Sequence, residues 1–248
     1  MNRTKYLLAV GLAEATAAVR RTNAALFGTR TLMYHDLGDG ASTTDIYLLS
    51  PTSFRAQIEA ISQWADNQQI PFVPLTAEPR PGIAVTFDDG YRSTLAIAAP
   101  LLVQHSMPFH IFATRAYCQS GDARYLNETD LCELASLPNV VIGAHGTTHT
   151  RLAQISPEDL HRELLDAKDW LQQVIQRPVN SLSYPHGSFT PATTAAVQRC
   201  GYSYACSSQP GTYRSVDQRF AIPRIDIWSH DSARTALHKL RGAWDWML

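Results

Sequence analysis

The sequence predicts an α/β fold in which parallel strands form a barrel with helices packed outside it. Short apolar runs alternate with longer helical patterns along the chain, which is typical of repeated strand–helix units. The 248 residues suit a single barrel domain. The sequence contains no glycine-rich nucleotide-binding loop, which would have favoured an open sheet instead. We expect the barrel over residues 29–248, after an N-terminal helix in residues 1–28.

Seven apolar runs have the length and composition of buried strands. They cover residues 31–35, 82–87, 109–114, 139–144, 181–185, 202–208 and 222–228. Two helices between them have clear start signals, because Ser50 and Ser156 are each followed by a proline, which suits the first helical position. The helix after Ser156 places apolar side chains on one face: Leu160, Leu164, Leu171, Val174 and Ile175. In a parallel barrel the C-terminal strand ends meet at one rim, where we expect the chemistry.

Composition and charge exclude several classes of protein. A hydrophobic content of 45% with 17% charged residues is typical of a globular chain rather than a disordered one. The net charge is −1, and the basic residues are scattered, so we expect no nucleic-acid partner. The four cysteines form no Cys-x-x-Cys pair, which argues against a thiolate zinc site and favours reduced thiols.

The N-terminal segment has a basic start and a short apolar run, and Ala15-Thr16-Ala17 could mimic a signal-peptide cleavage site. Glu14 and Arg20-Arg21 argue against secretion. We therefore expect an uncleaved helix that lies on the domain or makes a peripheral membrane contact. No later segment reaches the roughly 18 apolar residues that span a bilayer. A cytoplasmic location is favoured, with a periplasmic or membrane-associated one as the alternative.

Three of the strand runs end in polar clusters: Asp88-Asp89-Gly90, His145 with His149, and Pro185-His186-Gly187. Each cluster alone is ordinary, since Asp-Asp-Gly suits a turn and paired histidines are often solvated. Together, two imidazoles and one carboxylate make the three-ligand set of a catalytic zinc, and a second acid can take a proton from water. We expect a divalent metal, with zinc as the default and cobalt, nickel or iron also suited to these ligands.

The segments "TFDDG" (86–90), "HGTTH" (145–149) and "SYPHG" (183–187) resemble, in this order, the first three motifs of NodB-type polysaccharide deacetylases, carbohydrate esterase family four. The resemblance implies a distorted (β/α) barrel of NodB-homology type, usually with seven strands, and metal-dependent removal of N-acetyl groups from amino sugars. It also implies that Asp88 is the catalytic base and that Asp89, His145 and His149 bind the metal. The backbone N–H at His186 is then the oxyanion donor.

The chain departs from the family pattern in three places. Ser183 stands where the third motif often has an arginine that orients the catalytic Asp, the fourth motif is only approximated by residues 224–228, and the fifth, Leu-x-x-His, has no clean match. With a strand period of two, Arg224, Asp226 and Trp228 share one face, which we expect to point inward. We hypothesise that Arg224 replaces the missing arginine. The alternative is an inward ion pair that merely fills the lumen.

The donor of a proton to the leaving amine stays open at this point. His186 lies within a matched motif, His35 ends the first strand run, and Asp88 could return the proton that it accepted. His230 and His238 are more simply a cap residue and a helix residue. Aromatic residues beside the motifs, with Pro185, are candidates for sugar binding, although packing explains them equally well: Tyr91, Tyr184 and Trp228.

The expected partner is an N-acetylated glycan, in a polysaccharide or glycolipid. The expected role is in bacterial surface or exopolysaccharide biosynthesis. Two alternatives remain. A deformylase or another N-acyl amide hydrolase would use the same atoms, and a non-catalytic carbohydrate-binding barrel would explain the missing fifth motif.

Overall fold

The structure is a computed structural model that describes residues 27–39 and 45–245. In that part of the chain the strands are β1 (Thr29–Tyr34), β2 (Asp36–Leu37), β3 (Leu48–Leu49), β4 (Gly82–Phe87), β5 (Phe109–Ala113), β6 (Val140–Ala144), β7 (Ser181–Ser183), β8 (Tyr204–Cys206) and β9 (Ile225–Asp226). Seven of them form one parallel sheet in the order β8-β7-β6-β5-β4-β1-β9, while β2 pairs with β3. Each of the seven predicted strands matches one strand of this sheet.

The sheet curls until its two edges approach each other. Ile222, just before β9, forms a parallel bridge with Cys206 of β8. Its N–H donates to Ala205 O at 2.9 Å, and its carbonyl accepts from Ser207 N at 2.9 Å. The predicted strand at 222–228 is therefore divided between two neighbours. Its first part contacts β8, and only Ile225–Asp226 pairs with β1.

Helices surround the sheet: α1 (Pro51–Gln68), α2 (Ala99–Gln104), α3 (Arg115–Cys118), α4 (Glu128–Ser136), α5 (Pro157–Ile175), α6 (Pro191–Arg199) and α7 (Ala233–Leu240). A π-helical turn at Thr94–Ala98 precedes α2. Both predicted helix starts are confirmed, because Ser50 Oγ accepts from Ser53 N and Ser156 Oγ accepts from Asp159 N, each at 3.1 Å.

The strands are buried on both faces, as expected for a parallel sheet covered by helices. Every residue of β1, β4 and β5 is buried. The lumen also holds polar side chains, among them Thr86, Asp88 and Arg224, at most 3% exposed. Because buried polar groups need partners, these residues mark where the fold departs from a purely apolar core.

The predicted N-terminal helix lies outside the described residues, which begin at Phe27, so this helix, its membrane contact and the cytoplasmic location stay predictions. Among the described residues, no helix has the length and apolar character to cross a membrane. Cys118, Cys132, Cys200 and Cys206 are free thiols.

Candidate active site

The C-terminal ends of several strands meet around one cavity of about 460 Å³ at the rim of the sheet. Two acids follow β4, two histidines follow β6, and β9 with the residue before it supplies an acid and an arginine. The lining comprises Met33, His35, Tyr47, Asp88, Asp89, His145, His149, Arg151, Tyr184, His186, Gly187, Ser208, Arg224 and Asp226. A cavity of this size is typical of a small-ligand site.

The backbone after β4 turns sharply between the two acids and the glycine. Asp89 has φ of +71° and Gly90 has φ of +83°. Asp tolerates this left-handed conformation better than most residues, and glycine adopts it without a steric penalty. A Cβ at Gly90 would also lie 3.3 Å from Cys118 Sγ. The turn allows the neighbouring carboxylates of Asp88 and Asp89 to have different partners.

Asp89, His145 and His149 form a group that could hold a metal ion, with their ligand atoms all within 4.8 Å of one another. Asp89 Oδ1 lies 3.3 Å from His145 Nε2 and 3.1 Å from His149 Nε2. One carboxylate oxygen and two imidazole nitrogens are a ligand set that zinc and similar divalent ions accept.

Two further observations support the fit to a cation. Asp89 Oδ1 is buried and accepts no hydrogen bond from the described residues, although buried polar atoms are usually satisfied. His145 Nδ1 donates to Ser183 O at 2.8 Å, which leaves Nε2 of the neutral ring with a free lone pair toward Asp89. A backbone acceptor behind a histidine is a common device for orienting a metal ligand.

Asp88 has a different set of partners, although it is adjacent to Asp89. Arg224 donates from Nη1 to Asp88 Oδ1 and from Nη2 to Asp88 Oδ2, both at 2.7 Å. Ser183 Oγ accepts from Arg224 Nη2 at 2.7 Å and donates to Asp88 Oδ2 at 2.9 Å. The Ser183 hydroxyl thus contacts both the guanidinium and the carboxylate. Asp88 Oδ2 lies 3.9 Å from His145 Nε2, farther than Asp89 does.

The charges around the two acids explain their protonation. Burial alone raises the pKa of Asp88, but Arg224 and His145 outweigh it and lower the pKa to about 2. Burial likewise opposes ionisation of Asp89, but the imidazoles of His145 and His149 beside it outweigh burial and hold its pKa well below the usual range. For His145, burial lowers the pKa, but Asp88 and Asp89 raise it overall. Both carboxylates are therefore ionised at neutral pH, and Asp89 places its negative charge beside the two imidazoles.

The model of the polysaccharide deacetylase family matches residues 76–205, just over half of the chain. The chain belongs to the polysaccharide deacetylase family. YxkH of Bacillus subtilis (strain 168), a protein provisionally named a polysaccharide deacetylase, is 26% identical over 206 residues, which cover 79% of this chain and 70% of YxkH. His35 and Arg224 lie outside the segment that the family model matches.

Solved structures show the same fold. The Streptococcus pyogenes deacetylase PplD, solved in complex with acetate, superposes with a TM-score of 0.72 at 19% identity, covering 86% of this chain and 98% of PplD. IcaB from Ammonifex degensii superposes with a TM-score of 0.70 at 20% identity, covering 86% of this chain and 97% of IcaB. The predicted NodB-type barrel of this family member is thereby confirmed.

The opposite wall of the cavity is formed by Asp226, His35 and Tyr47. Asp226 Oδ2 accepts from Trp228 Nε1 at 2.8 Å, whereas Oδ1 has no hydrogen-bond partner among the described residues. Burial raises the pKa of Asp226. The ring of Tyr47 lies over that of His35, with 4.1 Å between centroids, and its hydroxyl interacts with Asp226. Tyr47 is a site residue that sequence reasoning missed.

The β9 prediction holds for the alternation of faces. Arg224 and Asp226 line the cavity, while Ile225 and Ile227 are buried in the hydrophobic core. Arg224 bonds to Asp88 rather than forming an ion pair with Asp226. Trp228 does not line the main cavity. It lines a neighbouring cavity of about 130 Å³, where Lys239 Nζ lies 3.7 Å from its ring centroid.

The remaining candidates differ in exposure. His186 has φ of +57° and is exposed at the cavity mouth, where its Nε2 donates to His149 O at 3.2 Å. Tyr184 is 1% exposed and stacks on Phe189, so its buried ring favours the packing explanation over sugar stacking. Pro185 is also buried. Tyr91 stacks on Tyr125 and does not line the cavity.

Proposed function

We propose that this family member is a metal-dependent hydrolase that removes N-acetyl groups from amino sugars of a polysaccharide or glycolipid, in bacterial surface or exopolysaccharide biosynthesis. One observation carries the proposal. Asp89, His145 and His149 converge in a cavity, while the adjacent Asp88 is held apart from them by Arg224. This separation gives the two acids different tasks, metal binding for Asp89 and proton transfer for Asp88.

The proposed metal is zinc, held by Asp89, His145 and His149. When bound, a divalent metal supplies positive charge that polarises the acyl oxygen of the substrate and makes water more acidic. The rest of the chemistry belongs to the side chains around it. The partner of His145 behind the site, Ser183 O, keeps the imidazole oriented toward the ligand position.

Asp88 is the proposed general base. Arg224 stabilises its ionised form, so at neutral pH the carboxylate can accept a proton from the attacking water. The bidentate contact also fixes the plane of the carboxylate, because a guanidinium and a carboxylate match each other in geometry. In the family's third motif an arginine often orients the catalytic acid, and this chain has Ser183 at that position. We infer that Arg224 takes over the orienting role.

His35 is the proposed proton donor to the leaving amine. It lines the cavity, its Nδ1 is buried without a partner among the described residues, and it interacts electrostatically with Asp88, Asp89 and Asp226. His186 suits the role less, because partial desolvation of its ring and the nearby His149 and Arg151 lower its pKa and so disfavour the protonated form. The backbone N–H of His186 is instead our candidate for the oxyanion donor.

Acetyl is the proposed acyl group, released as acetate, because the family is defined by deacetylation and PplD was solved with acetate. The cavity of about 460 Å³ has room for an acylamino sugar. The test is acetate release from N-acetylated oligosaccharides by zinc-loaded protein. A parallel assay for formate from N-formyl sugars separates deacetylation from deformylation.

His149→Ala is the informative variant and His105→Ala, an exposed histidine on another surface, is its control. We expect acetate release that depends on stoichiometric zinc, is lost in His149→Ala and persists in His105→Ala. Equal acetate release by metal-free protein, or formate as the preferred product, contradicts the proposal.

A further inference from the structure

We propose that Glu163 on α5 is a positioning residue for the metal ligand His149. The inference rests on the proposed metal-dependent function and adds a residue to it. Glu163 is 8% exposed, and its carboxylate faces the loop between the two histidines rather than the cavity. The role follows from how this loop satisfies its backbone groups.

Glu163 accepts three hydrogen bonds from the loop. Oε2 accepts from Thr147 N at 2.8 Å and from Thr148 N at 3.0 Å. Oε1 accepts from Thr148 Oγ1 at 2.6 Å. The backbone carbonyl of Glu163 also accepts from Thr147 Oγ1 at 3.1 Å. Hydrogen bonds to a carboxylate are stronger than those between neutral groups, so this side chain ties the loop firmly to α5.

The other side of the loop is held by the start of α3. Arg115 N donates to Gly146 O at 3.3 Å, and Ala116 N donates to Thr147 O at 2.8 Å. A Cβ at Gly146 would lie 3.2 Å from Glu163 Oε2, so the carboxylate packs closely against the loop. The loop is thus clamped between two helices, with Glu163 supplying the acceptor side of the clamp.

His149 depends on this clamp more than His145 does. His145 is already fixed at the end of β6, by its N–H to Ala113 O at 2.9 Å and its Nδ1 to Ser183 O. His149 follows Thr148 directly and has φ of +62°, a conformation that a non-glycine residue keeps only when its surroundings impose it. Loss of Glu163 therefore releases the position of His149 Nε2 beside Asp89.

Two substitutions separate positioning from general stability. Glu163→Ala removes both carboxylate oxygens and with them all three side-chain hydrogen bonds to the loop. Glu163→Gln keeps one carbonyl oxygen for the two N–H groups, and its amide can donate to the Thr148 hydroxyl, so we expect it to restore the clamp. Thr148→Val removes a single hydrogen bond and serves if Glu163→Ala does not fold. Asp169→Ala, an exposed acid on the same helix, is the matched control.

The readouts are zinc affinity, by competition with a chromophoric chelator, and amide hydrogen exchange of residues 146–149 in metal-free protein. We expect Glu163→Ala to weaken zinc binding about 10–100-fold, the range typical of groups behind a ligand, and to accelerate loop exchange. Thr148→Val should change both in the same direction by less, while Glu163→Gln and Asp169→Ala stay close to wild type.

Wild-type zinc affinity in Glu163→Ala, or equal weakening in Glu163→Gln and Glu163→Ala, overturns the inference. Should the wild-type protein bind no stoichiometric zinc, the proposed function fails instead. Hydrogen exchange in the metal-free protein then still tests the clamp, because unchanged exchange of the loop in Glu163→Ala overturns the positioning role on its own.

Discussion

Replacing Arg224 with lysine tests how the catalytic acid is held. The guanidinium makes five hydrogen bonds, two of them to Asp88 at 2.7 Å and the others to Ser207 O, Thr86 Oγ1 and Ser183 Oγ. A lysine ammonium keeps the charge, but its three N–H donors radiate from one atom and cannot reproduce the two parallel bonds. Arg224→Lys therefore preserves the electrostatic partner of Asp88 and removes its orientation.

The magnitude follows from the lost contacts. A hydrogen bond to a charged group contributes about 1.5–3 kcal/mol, and we expect the free energy of unfolding to fall by about 2–4 kcal/mol after partial replacement by the ammonium. A displacement of a catalytic group by about 1 Å can cost roughly 100-fold in rate. We expect kcat to fall more than about tenfold, while zinc content stays at the wild-type value because Asp89, His145 and His149 are unchanged.

The assay compares kcat for acetate release, zinc content and urea unfolding in Arg224→Lys and Arg30→Lys. Arg30 is a matched control, since it is also buried and bonds both oxygens of a carboxylate, Asp245, at 2.8 and 2.9 Å, yet it does not line the cavity. Arg30→Lys should lose stability and keep kcat. An unchanged kcat in Arg224→Lys refutes the orienting role and leaves Arg224 as a lumen-filling residue.

Three other outcomes are expected. His35→Gln should lower kcat about 100-fold or more with zinc content unchanged, as for a lost general acid, and a larger effect of His186→Gln would reassign the proton donor. The lowered pKa of Asp88 stabilises the fold above pH 3.8, and this contribution is lost as the pH falls toward 2. Over that interval the free energy of unfolding, measured in urea, should fall by about 2 kcal/mol more in the wild type than in Asp88→Asn. Equal falls in the two proteins would contradict this pH dependence. Gly143→Ala places a Cβ 2.5 Å from Ser181 Oγ, so thermal unfolding should show about 1–3 kcal/mol of destabilisation.

The sheet was predictable because its strands are short, apolar and bounded by turns. The runs at 82–87 and 109–114 coincide closely with β4 and β5, whose residues are all buried. The run at 222–228 predicted a longer strand than β9, because hydropathy does not reveal that Ile222 pairs with the opposite edge of the sheet. The strands β2 and β3 have two residues each, too few for any periodicity.

The residues that could hold a metal were predictable from strand ends and motifs. The inward orientation of Arg224 was predictable from the strand period of two, because alternation places Arg224 and the buried Ile225 on opposite faces. The supporting residues were not predictable. Glu163 belongs to a helix in which acids are ordinary surface residues, and Tyr47 lies in a loop. Their roles depend on distant contacts, to Thr147 and His35 respectively, for which local sequence carries no signal.

Anomalous diffraction at the zinc edge, on crystals of the zinc-loaded protein, shows directly which side chains hold the metal. We expect one zinc ion per chain, bound by the Nε2 atoms of His145 and His149 at about 2.0–2.1 Å and by Asp89 at about 2.0–2.2 Å. Asp88 should lie outside the coordination sphere, still bonded to Arg224. A zinc ion elsewhere, or one bound by Asp88 in place of Asp89, contradicts the proposed metal site.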